Sequence, residues 1–240
     1  MLAGEAEHRI TEAHALYTPV DDDAAADHGA YSRAVEFEEL LRRRRMVRGY
    51  EPKAIPRETL ERIARTIRRA PSGGFSQGQR LIVVTDPEMR KRIAEASGED
   101  YYVEQGFGRW ISGAPALIVV CVREDDYHER YREPDKLDDA GDEIEWPVPY
   151  WYVDAGKAAM LVLLAAIDAG LGAGVFGLSR EGIARLRELL ALPDDVAVVE
   201  VVTLGTPSVH DPSDRLSSRG TRPRKSIDEL VRWERWTSSP

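Results

Sequence analysis

The stretch APSGGFSQGQRLIVVTD, residues 70–86, joins a charged helical segment to a strand that is predicted to be fully buried. Pro71 ends the helical pattern, and mostly small or polar residues follow it. The run LIVV then indicates a core strand, because uncharged aliphatic residues in a short run are typical of buried sheet. Short connections usually only turn the chain. The presence of Ser72, Gly73 and Gln77 at the edge of a core strand therefore needs another explanation.

The composition limits what the protein can be. The chain has 240 residues and is 42% hydrophobic, which is enough for one sizeable core and favours one domain over two. Its formal net charge of -9 argues against nucleic acid as the main partner. A single cysteine, Cys121, excludes an intramolecular disulfide and fits a reducing compartment. Its place inside ALIVVCV predicts a buried apolar side chain.

Two features predict a cytoplasmic protein without a membrane partner. The first residues, MLAGEAEHRITEAHAL, are acidic and mixed, and they lack the apolar central run of a secretory signal. The most apolar run, Ala158 to Ile167, has about half of the roughly 20 residues that a membrane span needs.

Outward from the opening stretch, hydrophobic periodicity predicts an α+β protein with one sheet wrapped by helices. Three segments are predicted as strands: LIVVTD, PALIVVCV and VAVVEVVTLG. Helices outnumber strands and do not alternate with them, so a plain doubly wound fold does not fit. Asp86 and Ser179 are predicted to cap the helices that follow them. The helix DAGKAAMLVLLAAIDAG is apolar on nearly every face, which predicts burial all round, at the domain centre or against a second subunit.

The chain is predicted to form a flexible extension followed by one domain. Residues 1–30 are poor in large apolar groups and contain DDDAAAD, so we expect a flexible N-terminal extension. Residues 31–240 then form the single domain. Within it, residues 123–150 are charged, aromatic and proline-bearing, with no clear core face. Two interpretations of this segment stay open, a lid-like insertion and a partly ordered surface excursion.

A glycine pattern at Gly172, Gly174 and Gly177 matches G-x-G-x-x-G, with Glu200 about twenty residues downstream. The dinucleotide fingerprint needs a strand before its glycines, but the preceding segment is rich in Ala and Leu and favours helix. A Rossmann domain is therefore not predicted. The glycines instead indicate close packing, either against another backbone or against a flat ligand.

Two basic groups are conspicuous in this acidic chain. The first contains Arg44, Arg45 and Arg48 in RRRRMVRGY, where Arg48 lies beyond the predicted helix end and is not explained by the helix dipole. The second contains Arg222 and Arg224. Two separated arginine groups suit a buried phosphate, because each guanidinium offers two-pronged hydrogen bonding to phosphate oxygens.

Four motifs in this order resemble the nitroreductase family of FMN-dependent oxidoreductases. RRMVRGY at 44–50 is similar to its R-R-x-V-R-x-[FY] opening, and APSGGFSQ at 70–77 to its A-P-S-x-x-N-x-Q-P-W block. AGLG at 169–172 resembles its A-x-G-L-G turn. LGTP at 204–207, followed by RPRKSIDELV at 222–231, resembles its G-x-P and R-K-P-L-E-E-L-V ending.

The resemblance implies a nitroreductase-like fold, with one central, mostly antiparallel sheet in a domain-intertwined homodimer and an FMN-binding domain over residues 31–240. The opening turn would line one edge of the isoalloxazine ring, the arginines would hold the phosphate and ribityl chain, and the glycine segment would pass flavin N5, often from the neighbouring subunit. The residues implied at the cofactor are Arg44, Arg45, Met46, Arg48, Pro71, Ser72, Gly73, Gln77, Val175, Phe176, Gly177, Leu178, Arg222 and Arg224. No catalytic side chain is implied, since the flavin carries the chemistry, and no histidine has metal-ligand spacing.

This sequence departs from the family pattern at three positions. Phe75 stands where the family commonly has Asn, so packing would replace a polar contact to the ring. Gly78 and Gln79 replace Pro-Trp, which removes a bulky wall residue. Gly177 stands where some members carry a glutamate, which leaves a main-chain contact at N5 but no side-chain contact.

The resemblance implies an enzyme that passes hydride from NAD(P)H to FMN and then to a small-molecule acceptor, such as a nitroaromatic or a quinone. Two alternatives stay open. One is the flavin-cleaving branch of the family, which makes dimethylbenzimidazole from reduced FMN. The GFSQ block and the RWERW ending resemble that branch, but Met46 replaces its Asp and Val175 lies near the position of its Ser. The other alternative is a non-catalytic protein that stores or senses FMN.

Overall fold

The computed structural model describes residues 36–216 and 222–236. At its centre lies a four-stranded antiparallel sheet with the strand order β1-β2-β4-β3. The strands are β1 (Gln79–Val84), β2 (Ala116–Arg123), β3 (Gly172–Phe176) and β4 (Val196–Gly205). The prediction of an α+β fold with one central antiparallel sheet wrapped by helices is confirmed. The expected extension over residues 1–30 lies outside the described residues.

β2 is the most deeply buried strand, as its aliphatic sequence predicts. All its residues except Arg123 are buried. Alternate side chains point to opposite faces, so Ile118 and Val120 join one apolar cluster while Leu117 and Val119 join another. Cys121 is fully buried as predicted, and burial raises its pKa to about 11, which keeps the thiol protonated and unreactive near neutral pH.

β3 is a strand that the sequence analysis does not predict. It has five residues, of which two are glycines, so its local propensity for sheet is weak. It pairs with β4 from Gly172 opposite Gly205 to Phe176 opposite Val201. Tertiary pairing therefore creates this strand, and the G-x-G-x-x-G pattern is an edge strand with its last glycine beyond the strand end.

Helices cover both faces of the sheet. Asp86 and Ser179 cap their helices as predicted, accepting hydrogen bonds from the main-chain N–H of Met89 at 2.8 Å and of Gly182 at 3.1 Å. The helices are α1 (Phe37–Arg43), α2 (Arg57–Arg65), α3 (Pro87–Ala96), α4 (Glu99–Glu104), α5 (Asp125–Tyr131), α6 (Tyr150–Asp168), α7 (Arg180–Leu189), α8 (Ser213–Leu216) and α9 (Ile227–Leu230), with 3₁₀ turns at Thr66–Arg69 and Gly73–Phe75.

Within the single chain, α6 is buried on one side only, so of the two expected ways of burying it, the domain centre alone does not do so. Ala155, Ala159 and Val162 pack into the first apolar cluster, whereas Val153 and Met160 are 43% and 44% exposed. Among the described helices, α6 is long and apolar enough to cross a membrane by length and composition, but half of its apolar window is buried inside the protein. A second subunit against the exposed face remains a prediction.

Residues 123–150 contribute to the core, which the sequence did not indicate. α5 lies within this segment, and Tyr127 on it is fully buried in the first apolar cluster. Trp146 packs against Tyr131, with ring centroids 4.4 Å apart. The segment is therefore not a loose surface excursion over its whole length. Its role as a lid stays a prediction.

Candidate functional site

The basic segment Arg44–Tyr50 packs along the outer edge of β3. Met46 forms a parallel bridge with Ala173, and the Val47 N–H donates to the Ala173 carbonyl at 3.0 Å. The Val47 side chain is buried. Main-chain hydrogen bonds thus fix the predicted phosphate-binding arginines at the same sheet edge as the segment that continues from β3 into residues 175–178.

The glycines of β3 allow this close approach. A Cβ on Gly174 would lie 2.6 Å from the Val47 carbonyl oxygen, and one on Gly172 would lie 2.7 Å from Pro207 Cγ. For these two glycines, packing against the chain itself is the correct interpretation. Gly177 differs, because a Cβ there would meet no atom within 4 Å. The backbone at Gly177 is therefore open to a ligand.

Asp211 anchors the basic segment from the other side and was not singled out in the sequence. Its Oδ2 lies 2.5 Å from Arg45 Nη1, and its Oδ1 accepts from the main-chain N–H of Arg48 at 3.1 Å. The side chain is only 3% exposed. Burial alone would raise the pKa of Asp211, but hydrogen bonds from Ser213, Arg45 and the Arg48 N–H lower it. The sequence feature that could have pointed to Asp211 is its place as an acidic residue shortly after the end of the buried strand β4.

Arg48 carries an unsatisfied buried donor. Its guanidinium lies over the rings of Phe107 and Trp110, with centroids at 4.9 and 5.4 Å. Its Nε is buried and has no hydrogen-bond partner among the described residues. A buried donor of a charged group without a partner costs free energy. An anionic oxygen would satisfy it, so the residues present fit a phosphate-bearing cofactor.

The turn at residues 71–77 has an unusual backbone. Gly74, Phe75 and Gln77 have φ values of +58°, +63° and +54°, in the left-handed region that side chains disfavour. The Phe75 N–H donates to the Ser72 carbonyl at 3.0 Å, and the Gln77 N–H donates to Ser72 Oγ at 2.9 Å. The Phe75 side chain is 72% exposed. Strained backbone of this kind clusters at functional sites, and this turn directs a large apolar side chain outward.

Two further side chains hold this turn and were not predicted. The Gly73 N–H donates to Asp154 Oδ2 at 2.9 Å, and Arg130 Nε donates to the Gly74 carbonyl at 2.9 Å. Asp154 is visible in the sequence as a charged interruption of an apolar helix, together with Lys157. Nothing in the sequence connects either residue with a turn that is 81 positions away from Asp154.

The structure brings some of the predicted groups together and separates others. Arg44, Met46 and Arg48 share one sheet edge with residues 175–178. The turn at 71–77 precedes β1, which forms the opposite edge of the sheet and lies three strand spacings, or roughly 14 Å, from β3. Phe176 is buried against Trp110, so only its main chain could face a ligand.

The C-terminal arginines, Arg222 and Arg224, are exposed. Among the described residues, neither forms a hydrogen bond or ion pair with the basic segment around Arg48. Their convergence on one phosphate with that segment stays a prediction.

An open cavity of about 440 Å³ adjoins the end of β3. Gly177 and Ser179 line one side of it, and Gly98, Tyr101 and Tyr102 line the other. The cavity therefore provides space beside the segment that was predicted to pass flavin N5.

Comparison with known proteins identifies the family. The sequence pattern of the family described as Nitroreductase family matches residues 41–206. An Archaeoglobus fulgidus protein named as an NADH dehydrogenase/NAD(P)H nitroreductase is 34% identical over 170 residues, which cover 70% of this chain and 83% of that protein. The FMN reductase (NAD(P)H) of Bacillus subtilis is 28% identical over 187 residues, covering 77% and 69%. This chain belongs to the nitroreductase family, as the four motifs predicted.

Solved structures show the same fold. The NADPH:FMN oxidoreductase from Vibrio harveyi, complexed with NAD+, has a TM-score of 0.63 and 24% identity, and the match covers 85% of this chain and 79% of that one. A nitroreductase family protein from Clostridium difficile has a TM-score of 0.62 and 24% identity, and the match covers 84% and 100%. These likenesses confirm the predicted nitroreductase-like fold.

Proposed function

We propose that this protein is an FMN-dependent NAD(P)H oxidoreductase that passes hydride from NAD(P)H to FMN and then to an electron-poor acceptor such as a nitroaromatic or a quinone. Membership of the nitroreductase family supports the proposal, and so do relatives named as NAD(P)H nitroreductase and FMN reductase. When bound, FMN supplies the hydride-transfer chemistry, and the protein supplies position and electrostatics.

One observation carries the proposal. The basic segment is bonded to β3 beside the open backbone at Gly177, and it holds the unpartnered, buried Nε of Arg48. Arg45 is already paired with Asp211, so Arg44 and Arg48 are the arginines of this segment that would face the phosphate. Arg222 and Arg224 would complete the phosphate site from the C-terminal segment.

The ring-facing roles follow from the local geometry. Gln77 would hydrogen-bond the pyrimidine side of the ring through its exposed side chain. Pro71 and Ser72 would line the ring edge with main-chain groups. Val175 to Leu178 would contribute main-chain groups near flavin N5, because Phe176 points into the core and Gly177 has no side chain. Main-chain N–H groups and arginines near the pyrimidine would stabilise the negative charge of the reduced ring.

We propose a homodimer in which each site combines two copies. The basic segment and the end of β3 share one sheet edge, whereas the turn at 71–77 lies at the other. The turn of one copy would therefore meet the arginines and residues 175–178 of the second, so the arginines would come from the same copy as residues 175–178 and from a different copy than the turn. The exposed apolar face of α6, with Val153 and Met160, supports such an interface. Sedimentation of the protein as a monomer only would contradict it.

The test is the absorbance spectrum of the purified protein, recorded before and after addition of NADH or NADPH without oxygen. We expect a yellow protein that bleaches with the nucleotide and recovers when menadione or nitrofurazone is added. Arg48→Ala is expected to weaken FMN binding by about tenfold or more, because it removes a charged partner of the phosphate. Arg57→Ala is the matched control, since Arg57 is exposed on α2 and, within residues 36–216 and 222–236, pairs only with its neighbour Glu61.

Three results would redirect the proposal. Colourless protein that stays without FMN when FMN is added would refute it. Bound FMN that NADH and NADPH both fail to reduce would favour the storing or sensing alternative. Dimethylbenzimidazole formed during aerobic incubation with reduced FMN would favour the flavin-cleaving branch.

A further inference from the structure

The conformation of the turn at Ser72–Gln77 is costly for its sequence. Phe75 and Gln77 adopt φ values of +63° and +54°, where a side chain crowds the following carbonyl group. Gly74, at +58°, adopts such a value without this penalty. A strained backbone persists only when the surrounding structure fixes it. Groups outside the turn must therefore hold these residues.

Asp154 holds the turn at its start. This carboxylate lies on α6 and is 1% exposed. Its Oδ2 accepts hydrogen bonds from the Gly73 N–H at 2.9 Å and from the Tyr127 hydroxyl at 3.1 Å. Lys157, one helical turn further along, donates to Oδ1 at 2.7 Å. Three donors compensate the carboxylate for the hydration that it loses on burial.

α5 holds the turn at the next residue. Arg130 Nε donates to the Gly74 carbonyl at 2.9 Å. The ring of Tyr131 lies so close that a Cβ on Gly74 would be 2.7 Å from a ring carbon. The Gly73 N–H and the Gly74 carbonyl are therefore both fixed by side chains, immediately before the left-handed residue Phe75.

We infer that Asp154 is a positioning residue for the cofactor-facing turn. By accepting the Gly73 N–H, it fixes the left-handed conformation that directs Phe75 and Gln77 outward. The Gly73 N–H is thereby occupied, so the flavin edge receives its hydrogen bonds from other groups of the turn. This inference rests on the proposed function, because it concerns the turn that is assigned to the flavin edge.

The test compares Asp154→Ala and Asp154→Asn with Asp168→Ala, which removes an exposed carboxylate from the same helix. FMN affinity is measured by fluorescence titration, and the visible spectrum of the bound flavin is recorded. Asp154→Ala is expected to raise the Kd for FMN about tenfold, equivalent to about 1.4 kcal/mol, and to change the spectrum. Asp154→Asn is expected to raise the Kd for FMN about threefold. Its amide oxygen can still accept the hydrogen bond from the Gly73 N–H, but its NH₂ group is a donor that faces the Lys157 ammonium group, which is also a donor. Asp168→Ala is expected to match the unmodified protein.

A folded Asp154→Ala protein with an unchanged Kd and an unchanged flavin spectrum would overturn the inference. Far-ultraviolet circular dichroism and the elution volume establish that the variant is folded. If the alanine variant does not fold, Asp154→Leu, which keeps a similar side-chain size but cannot accept from the Gly73 N–H, decides in the same way, and an unchanged Kd and flavin spectrum in that variant overturn the inference.

Amide hydrogen exchange separates this inference from the proposed function. Failure of the unmodified protein to bind FMN refutes the proposed function, but the exchange of residues 73–77 is measured without FMN. Faster exchange in Asp154→Ala than in Asp168→Ala supports the positioning role. Equal exchange in the two variants refutes it.

Discussion

The contact between the basic segment and β3 makes Gly174 a sharp test of the structure. An alanine at this position would place a Cβ 2.6 Å from the carbonyl oxygen of Val47, which is a main-chain atom and cannot rotate away. Gly177→Ala is the matched control, because its Cβ would meet no atom within 4 Å. Both substitutions add one methyl group to nearby positions of the same segment.

The expected loss of stability in Gly174→Ala has three parts. Forcing the backbones apart costs about 1–3 kcal/mol, as overpacking does in other cores. Weakening the hydrogen bond between the Val47 N–H and the Ala173 carbonyl costs about 0.5–1.5 kcal/mol. Replacing a strand glycine by alanine returns about 0.5–1 kcal/mol. The net loss is about 0.5–4 kcal/mol and centres near about 2 kcal/mol, whereas Gly177→Ala should change the free energy of unfolding by less than about 0.5 kcal/mol.

Urea unfolding without FMN measures this difference. Both variants and the unmodified protein are compared at one protein concentration, since any dimer makes the midpoint depend on concentration. We expect a lower midpoint with an unchanged slope for Gly174→Ala alone. Equal midpoints for the Gly174 and Gly177 variants would refute the packing of the basic segment on β3. Under the proposed function, Gly177→Ala is expected to weaken FMN binding instead, because it fills open space beside residues 175–178, which would lie near the flavin.

Two further predictions concern titratable groups. The hydrogen bond with Glu143 raises the pKa of His128, so its contribution to stability is complete below about pH 6.5 and is lost as the pH rises through the raised value. The protection of amides 125–146 against exchange, expressed relative to the base-catalysed intrinsic rate at each pH, should therefore fall at alkaline pH in the unmodified protein, and His128→Gln should remove this fall. The pKa of Asp211 is lowered in the fold, so its contribution is complete above about pH 3.9 and is lost as the pH falls through the lowered value. Asp211→Ala should lower the free energy of unfolding by about 1–3 kcal/mol near neutral pH, because it leaves the partly buried Arg45 without this partner. Acid should then destabilise the variant less than it destabilises the unmodified protein. Parallel acid unfolding curves for the two proteins would contradict this.

The sequence predicts the parts of this protein that local patterns determine. The apolar run of β2 and the caps at Asp86 and Ser179 depend on neighbours within a few positions, and all three are as predicted. β3 is missed because its glycines have little intrinsic preference for sheet, and pairing with β4 and Val47 creates the strand.

The candidate site is predicted only in part, because local patterns determine some of its features and tertiary contacts create the others. The resemblance to family motifs predicts the arginines and the turn at 71–77 as site residues, but the residues that hold these segments in place are distant in sequence. Asp211 is 166 positions from Arg45, and Asp154 is 81 positions from Gly73. No local pattern indicates such contacts, because they arise only when the sheet has assembled.

The position of the basic segment along β3 has a consequence for the behaviour of the protein in concentrated solution. An edge strand exposes a row of unpaired main-chain donors and acceptors, on which strands of other molecules can add. Met46 and Val47 occupy that row at Ala173. Substitutions that detach them would uncover a template for self-association, so we expect such variants to precipitate on heating before the rest of the fold melts.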